Sequence, residues 1–309
     1  MTKSTSPPVM QGAPSIYMIL GALQSALWFF ALPPLCKPIW QAMFDKLSPH
    51  ISEVFLWSIM FPYFVLYALV VAMPPYLLGW DFFEQFKISR DPWPWRDERE
   101  AVRWEFWKLT RRSLVIDTVN MLFFGPVCVY LKGALLPSRT LSFSMDDWPT
   151  YLESLSDIII SVNLHEFGFY WSHRLMHIYP MLYKHHKVHH EYKRNSILSA
   201  QHFNPVDYLF SIAGPVLLTS ALVRPHGITQ LQIGLWIFTA NLDDHLGYAF
   251  PWSPVRWFPT AAGTDEHEFH HCINMGIYGH KLTLWDHVFG TYKVYRRWRI
   301  KQWQTIKKE

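Results

Sequence analysis

The chain has 309 residues, half of them hydrophobic and 17% aromatic, and its 28 basic against 24 acidic side chains leave a formal charge of +4. That charge is too small and too scattered for a nucleic-acid partner. Cys36, Cys128 and Cys272 are singletons without C-x-x-C spacing, which excludes a disulfide framework and a thiolate zinc site and fits a working face in a reducing compartment.

Residues 1–15 are polar, contain prolines and are expected to be disordered; they lack the basic start and small-residue cleavage site of a signal peptide. Ile16 to Leu35 is almost wholly apolar and predicts a first, uncleaved span. Val54 to Leu78 predicts a second, with Pro62, Pro74 and Pro75 as kinks or ends, since about 20 apolar residues cross a bilayer core. Residues 81–112 differ: eight Lys or Arg are interleaved with Trp93, Trp95, Trp104 and Trp107, a pairing suited to the interface between headgroups and acyl chains. Ser113 to Leu131 predicts a third span, holding Asp117 and Asn120. Leu152 to Trp171 predicts a fourth, unusually polar one, with Asp157, Asn163, His165 and Glu166. Polar groups inside a span are costly and generally face a site or a partner helix. Asp207–Val223 and Ile228–Leu242, joined by Arg224-Pro225-His226-Gly227, predict a hairpin of spans, and residues 246–309 hold no span and end in a basic tail.

The expected fold class is therefore all-α, an integral membrane helical bundle of about four spans plus a hairpin with a histidine-rich helical cap. The expected divisions are 1–15, membrane spans and basic interfacial loop over 16–150, a histidine-bearing domain over 151–295, and a basic tail over 296–309. The 81–112 loop carries eight Lys or Arg against two in 36–53 (Lys37, Lys46) and two in 132–151 (Lys132, Arg139). Positive-inside bias puts the first loop in the cytosol. Counting spans onward, residues 172–206 and 244–309 fall on that same side.

Those two segments hold the histidines. Residues 173–190 contain six imidazoles in eighteen positions: His173 and His177 four apart, then His185, His186, His189 and His190. His267, His270 and His271 repeat the H-x-x-H-H form of His186, His189 and His190. Positions three and four apart share a helix face. A polar metal-binding tail would not interleave such clusters with Leu, Met, Ile, Tyr and Val. Neutral imidazole is a common ligand of Zn, Fe, Cu and Ni, and eight in three clusters exceed what one ion can use, so two neighbouring ions are expected. Without Cys the set points away from structural zinc and Fe–S clusters; it suits iron or zinc, with copper a further option.

H-x-x-x-H, H-x-x-H-H, a later single His and a second H-x-x-H-H, all after several spans, resemble the fatty acid hydroxylase and sterol desaturase superfamily over residues 150–295. The stretches His173–His177, His186–Tyr192, His245–Tyr248, Phe250–Pro254, His267–His271 and Leu284–Thr291 are most similar to sterol C4-methyl oxidases. Asp243-Asp244-His245 with Gly247-Tyr248 also resembles sphingoid-base C4-hydroxylases, and Asn204-Pro205-Val206-Asp207 resembles C5-sterol desaturases. The chain departs from the superfamily at Asn204, where most relatives have His, and at Asp207, where the C4-methyl oxidases have Glu. His202 lies two residues earlier as a candidate substitute for the missing His.

The resemblance implies a non-haem di-iron oxygenase of the endoplasmic reticulum with its metal site facing the cytosol. It implies metal ligands His173, His177, His186, His189, His190, His245, His267, His270 and His271, with Asp243, Asp244, Glu191, Glu266, Glu268 and Asn204 around them. It implies two iron ions (or zinc in their place in purified protein), O₂, and electrons from NAD(P)H through cytochrome b5 or a reductase, since no G-x-G-x-x-G or haem motif is present. The implied substrate is a sterol C4-methyl group; alternatives are a sphingoid base, a terpenoid or C5-sterol desaturation. The reading from a different class is a membrane protein that binds or transports zinc. His185, His280 and His287 fit no motif position, His165 is expected to be a buried polar residue, and His50 and His226 are expected on the far side of the membrane.

Overall fold

The computed structural model describes residues 15–47, 52–89 and 91–306, which are helical with no strand among them. The expected disordered segment 1–15 (Ser15 apart) and His50 lie outside the described residues. In chain order the elements are α1 (Ile19–Ala31), α2 (Pro34–Leu47), α3 (Glu53–Leu78), α4 (Glu100–Leu135), α5 (Tyr151–Ile178), α6 (Pro180–His186), α7 (Pro205–Val223), α8 (Gly227–Asp244), α9 (Thr264–Ile273), α10 (Leu284–Val288) and α11 (Tyr292–Ile306).

Three helices, α3, α4 and α7, are long and apolar enough to cross a membrane; α1 and α2, bent by 46° at the break between them, bring the number to four if they form one span. Their large apolar side chains, such as Leu69 and Val70 on α3, Val115 and Phe123 on α4 and Leu218 on α7, are exposed, which suits lipid and not water. α5 and α8 form where the fourth span and the second arm of the hairpin were expected, but neither reaches spanning apolarity. α5 buries Ser154, Ser161, His165 and Glu166 against its neighbours, so its polar side chains serve the interior. α4 also begins well before the expected third span, because the Trp-rich basic stretch from Glu100 onward continues it without a break. The basic C-terminal tail is helical over Tyr292–Ile306.

Four stretches contain one wide π-type turn: Leu27–Ala31, Ala68–Ala72, Asn120–Phe124 and Tyr208–Ala213. Each is followed two residues on by a proline (Pro33, Pro74, Pro126, Pro215). A proline has no N–H to give and crowds the carbonyl four residues back, and widening the preceding turn relieves both.

An aromatic layer joins the end of α3 to the segment after α8. Phe86, Trp93, Tyr76, Tyr248 and Phe250 are all buried in it. Tyr76 Oη donates to Leu246 O at 2.6 Å and accepts from Ile197 N at 3.1 Å, clamping two segments that carry histidines. Gly247 makes the turn at φ +70°; a Cβ there would stand 2.6 Å from Trp93 and 2.8 Å from Asn195 O.

Candidate metal centre

The structure gathers the nine predicted histidines into two groups. His173, His177, His186, His190 and His270 form one; His189, His245, His267 and His271 form the other, and within each the ligand nitrogens lie within 4.8 Å of one another. The groups abut: the rings of His190 and His271 are 4.7 Å apart between centroids. Both H-x-x-H-H clusters divide alike, the outer two histidines joining one group and the middle one the other, although only His267, His270 and His271 lie on a single helix, α9. His186 and His190 join one group and His189 the other; His267 and His271 stay together and His270 crosses over.

Five imidazoles have Nδ1 held by an oxygen acceptor. His173 donates to Tyr278 O at 3.0 Å, His186 to Asp207 Oδ2 at 2.8 Å and His270 to Gly276 O at 2.7 Å. In the second group His245 donates to Asn241 O at 2.7 Å and His271 to Tyr192 O at 3.0 Å. An acceptor at Nδ1 keeps the ring proton there and leaves Nε2 as a lone pair for a metal. The Nε2 atoms converge accordingly: His177 to His173 at 3.2 Å, His190 to His186 at 3.0 Å, His267 to His245 at 2.9 Å and His271 to His267 at 3.1 Å. His270 Nε2 is buried, aimed into the first group and has no hydrogen-bond partner. Burial pushes His245 and His270 down to about 3, which keeps them neutral. Buried, neutral, convergent nitrogens fit transition-metal ions.

The carbonyls that hold these rings are themselves pinned. Asp286 accepts from Tyr278 N and Gly279 N, both at 2.8 Å, and Glu166 accepts from Lys281 N at 3.1 Å and Leu282 N at 3.0 Å. Lys281, fully buried, lies 2.9 Å from Asp243 Oδ2 and 2.6 Å from Asp244 Oδ1, and Arg256 Nε lies 3.2 Å from Asp243. Two carboxylates at the C-terminal end of α8 oppose the helix dipole, and Lys281 and Arg256 offset them.

Asp244 thus meets Lys281, and Asp243 meets both Lys281 and Arg256. Glu191 binds Arg112 at 2.7 Å and His202 at 3.2 Å. Glu268 accepts from Asn195 N at 2.9 Å, and burial raises its carboxyl to about 7. Glu266 accepts from Gly263 N at 2.9 Å, at the start of α9. Asn204 Oδ1 accepts from His185 Nδ1 at 3.2 Å and Val206 N at 3.0 Å. His202 joins neither group, because Ser113 and Glu191 take its two nitrogens. His226 is buried away from both groups, its Nε2 facing Ser144 O. His280, which fits no motif position, forms a third buried cluster with His165 and Glu166, its Nδ1 3.3 Å from Glu166. Sequence reasoning missed Asp207 as a partner of an imidazole. The signal was a lone carboxylate in Asn204-Pro205-Val206-Asp207, noted there only as a departure.

An all-helical chain with helices long and apolar enough to cross a membrane and two abutting nests of imidazole is a membrane protein built around histidine clusters that could hold metal ions. The family model described as fatty acid hydroxylase matches residues 158–291, which contain both nests entirely. The chain is 34% identical over 212 residues to the very-long-chain aldehyde decarbonylase GL1-8 of Oryza sativa subsp. indica, covering 62% of this chain and 75% of that one. It is 36% identical over 160 residues to methylsterol monooxygenase 2-2 of Arabidopsis thaliana (48% and 57%), and 28% identical over 228 residues to the C-4 methylsterol oxidase erg25 of Schizosaccharomyces pombe (72% and 71%). No solved structure matches the chain. The chain belongs to the fatty acid hydroxylase family, and the methylsterol monooxygenases among its relatives are oxygen-dependent oxidoreductases.

Proposed function

We propose that this chain is a membrane-bound di-iron oxygenase that oxidises an unactivated C–H bond of a lipid, with the C4-methyl group of a sterol as its substrate. The observation that carries the reading is the pair of abutting imidazole groups, each with Nε2 lone pairs turned inward by acceptors at Nδ1. His173, His177, His186, His190 and His270 would hold one iron, and His189, His245, His267 and His271 the other. Bound iron supplies reductive activation of O₂, the chemistry that no side chain of this chain provides.

The protein's own part is positional. Tyr278 O, Gly276 O, Asn241 O, Tyr192 O and Asp207 orient the imidazoles, so the nitrogens are arranged before any ion arrives. Burial of both groups excludes bulk water from the place where an aggressive oxidant is used. Electrons arrive from NAD(P)H through a separate protein, cytochrome b5 or a reductase. The reading places the chain in the endoplasmic reticulum membrane with the histidines on the cytosolic side, as the Lys and Arg of residues 81–112 favour. A zinc-transport role would call for ligands strung along a path through the bilayer; here the two nests gather at the ends of α5, α6, α8 and α9, which favours the enzyme.

The test is expression in cells lacking sterol C4-methyl oxidase, alongside metal analysis of the purified chain. Rescue with two irons per chain and O₂-dependent NAD(P)H consumption is expected. Failure to rescue despite full iron loading and a competent electron donor would remove the sterol assignment. Labile zinc without turnover would remove the oxygenase. Protection of a C-terminal tag from protease in sealed microsomes would refute the orientation.

A further inference from the structure

An apolar cavity, open to the surface, runs between α3, α4, α7 and α8. Its lining is mostly apolar with a few placed polar groups, as in small-molecule sites. One end is marked by Glu53, Ser220 and Gln230, at the ends of their helices away from the histidines. The other is marked by Gln201 and by Ile237 and Phe238, on the half of α8 that leads to His245.

Gln201 stands out there. It is 2% exposed; its Nε2 donates to Asn241 Oδ1 at 3.0 Å, and its Oε1 is buried without any donor. A buried amide oxygen left unpaired is costly, so the fold keeps an acceptor at the inner end of an apolar cavity. The residue is also tied to the second histidine group from both sides. The carbonyl of Asn241 holds His245 Nδ1 at 2.7 Å, and Phe203, two residues beyond Gln201, stacks on His189 with centroids 4.3 Å apart.

We propose that Gln201 positions the substrate: its Oε1 accepts a hydrogen bond from the ring hydroxyl of the sterol. This rests on the sterol reading above and adds to it the residue that recognises the substrate. An acceptor calls for a donor, and a sterol carries one hydroxyl, on the ring carbon next to C4. Holding that hydroxyl at the inner end fixes C4 and its methyl groups one bond away, on the side of the histidines, while the hydrocarbon skeleton lies along the apolar cavity. A hydroxyl held instead near Glu53 and Gln230 would leave C4 at the end remote from the metal groups.

The experiment uses the full chain, iron-loaded, in lipid nanodiscs with a reductant. Three ligands are compared: a 4,4-dimethylsterol, its 3-ketone and its 3-deoxy counterpart, with Kd read by tryptophan quenching and kcat and KM by product formation. The wild type should bind the alcohol roughly tenfold more tightly than either analogue, because neither can donate. Gln201→Met should bring the three together, and Gln201→Glu should keep part of the preference, both with unchanged iron content. A wild type that treats alcohol and ketone alike overturns the assignment, and this comparison needs no variant to fold. A folded Gln201→Met that keeps the full preference overturns it as well. An iron-loaded wild type that binds none of the three brings down the sterol reading and this assignment with it, a result distinct from either of the others.

Discussion

Replacing Asp207 by Asn tests how the chain prepares its nitrogens. Asp207 Oδ2 accepts from His186 Nδ1 at 2.8 Å; both side chains are buried, and Asp207 Oδ1 has no partner. A carboxylate offers only acceptors, so the imidazole keeps its proton on Nδ1 and presents Nε2 bare. The amide of Asn presents N–H on one side; turned toward His186, it favours the opposite tautomer and removes a lone pair from the first group. Losing such a partner typically weakens metal binding about 10- to 100-fold, roughly 1.4–2.8 kcal/mol. The loss should fall on one site, since Asp207 touches only His186 among the nine. Titration with graded chelators, read by metal content, should resolve one weakened and one unaffected ion per chain. His185→Ala is the matched control: its Nδ1 faces Asn204 Oδ1, outside both groups, and metal content should not change. Two unaffected ions in Asp207→Asn, or two equally weakened ones, would refute the reasoning.

Three further outcomes are expected. His270→Ala and His189→Ala should each remove one metal equivalent, from the first and second group respectively, and abolish turnover while the protein stays membrane-inserted; full metal in either variant overturns the ligand assignment. Lys281→Met leaves Asp244 without its buried cation and Asp243 with Arg256 alone, and should destabilise the fold by roughly 3–5 kcal/mol, read as a lower thermal midpoint. The metal-free protein should lose stability on acidification. His245 and His270 titrate near 3 when folded and near 6.5 when unfolded, so the unfolded chain takes up protons first. Their contribution is complete above about pH 6.5 and falls by up to about 1.4 kcal/mol per pH unit for each as pH drops toward 3; a midpoint flat between pH 7 and 5 would contradict the burial argument.

The membrane class, the helical class and the nine clustered imidazoles were legible in the sequence, because each depends on local order. Apolar runs long enough to span declare themselves by length, and H-x-x-x-H and H-x-x-H-H declare themselves by helical spacing. α5 and α8 stand where two further spans were expected, and a run of residues shows hydropathy but not which of their side chains a neighbouring helix covers. The division into five and four was decided by tertiary structure: although 267 and 271 share a face of α9, only the placement of α5, α6, α8 and α9 determines which groups the histidines meet. Long-range packing likewise brought Asp207 to His186, carried His280 to His165 and Glu166, and left Gln201 Oε1 bare beside the cavity. Hydrogen bonds to Tyr278, Gly276, Asn241 and Tyr192 that set the tautomers run through backbone carbonyls, which every residue carries. No side-chain identity announces them, and only the folded chain determines where they point.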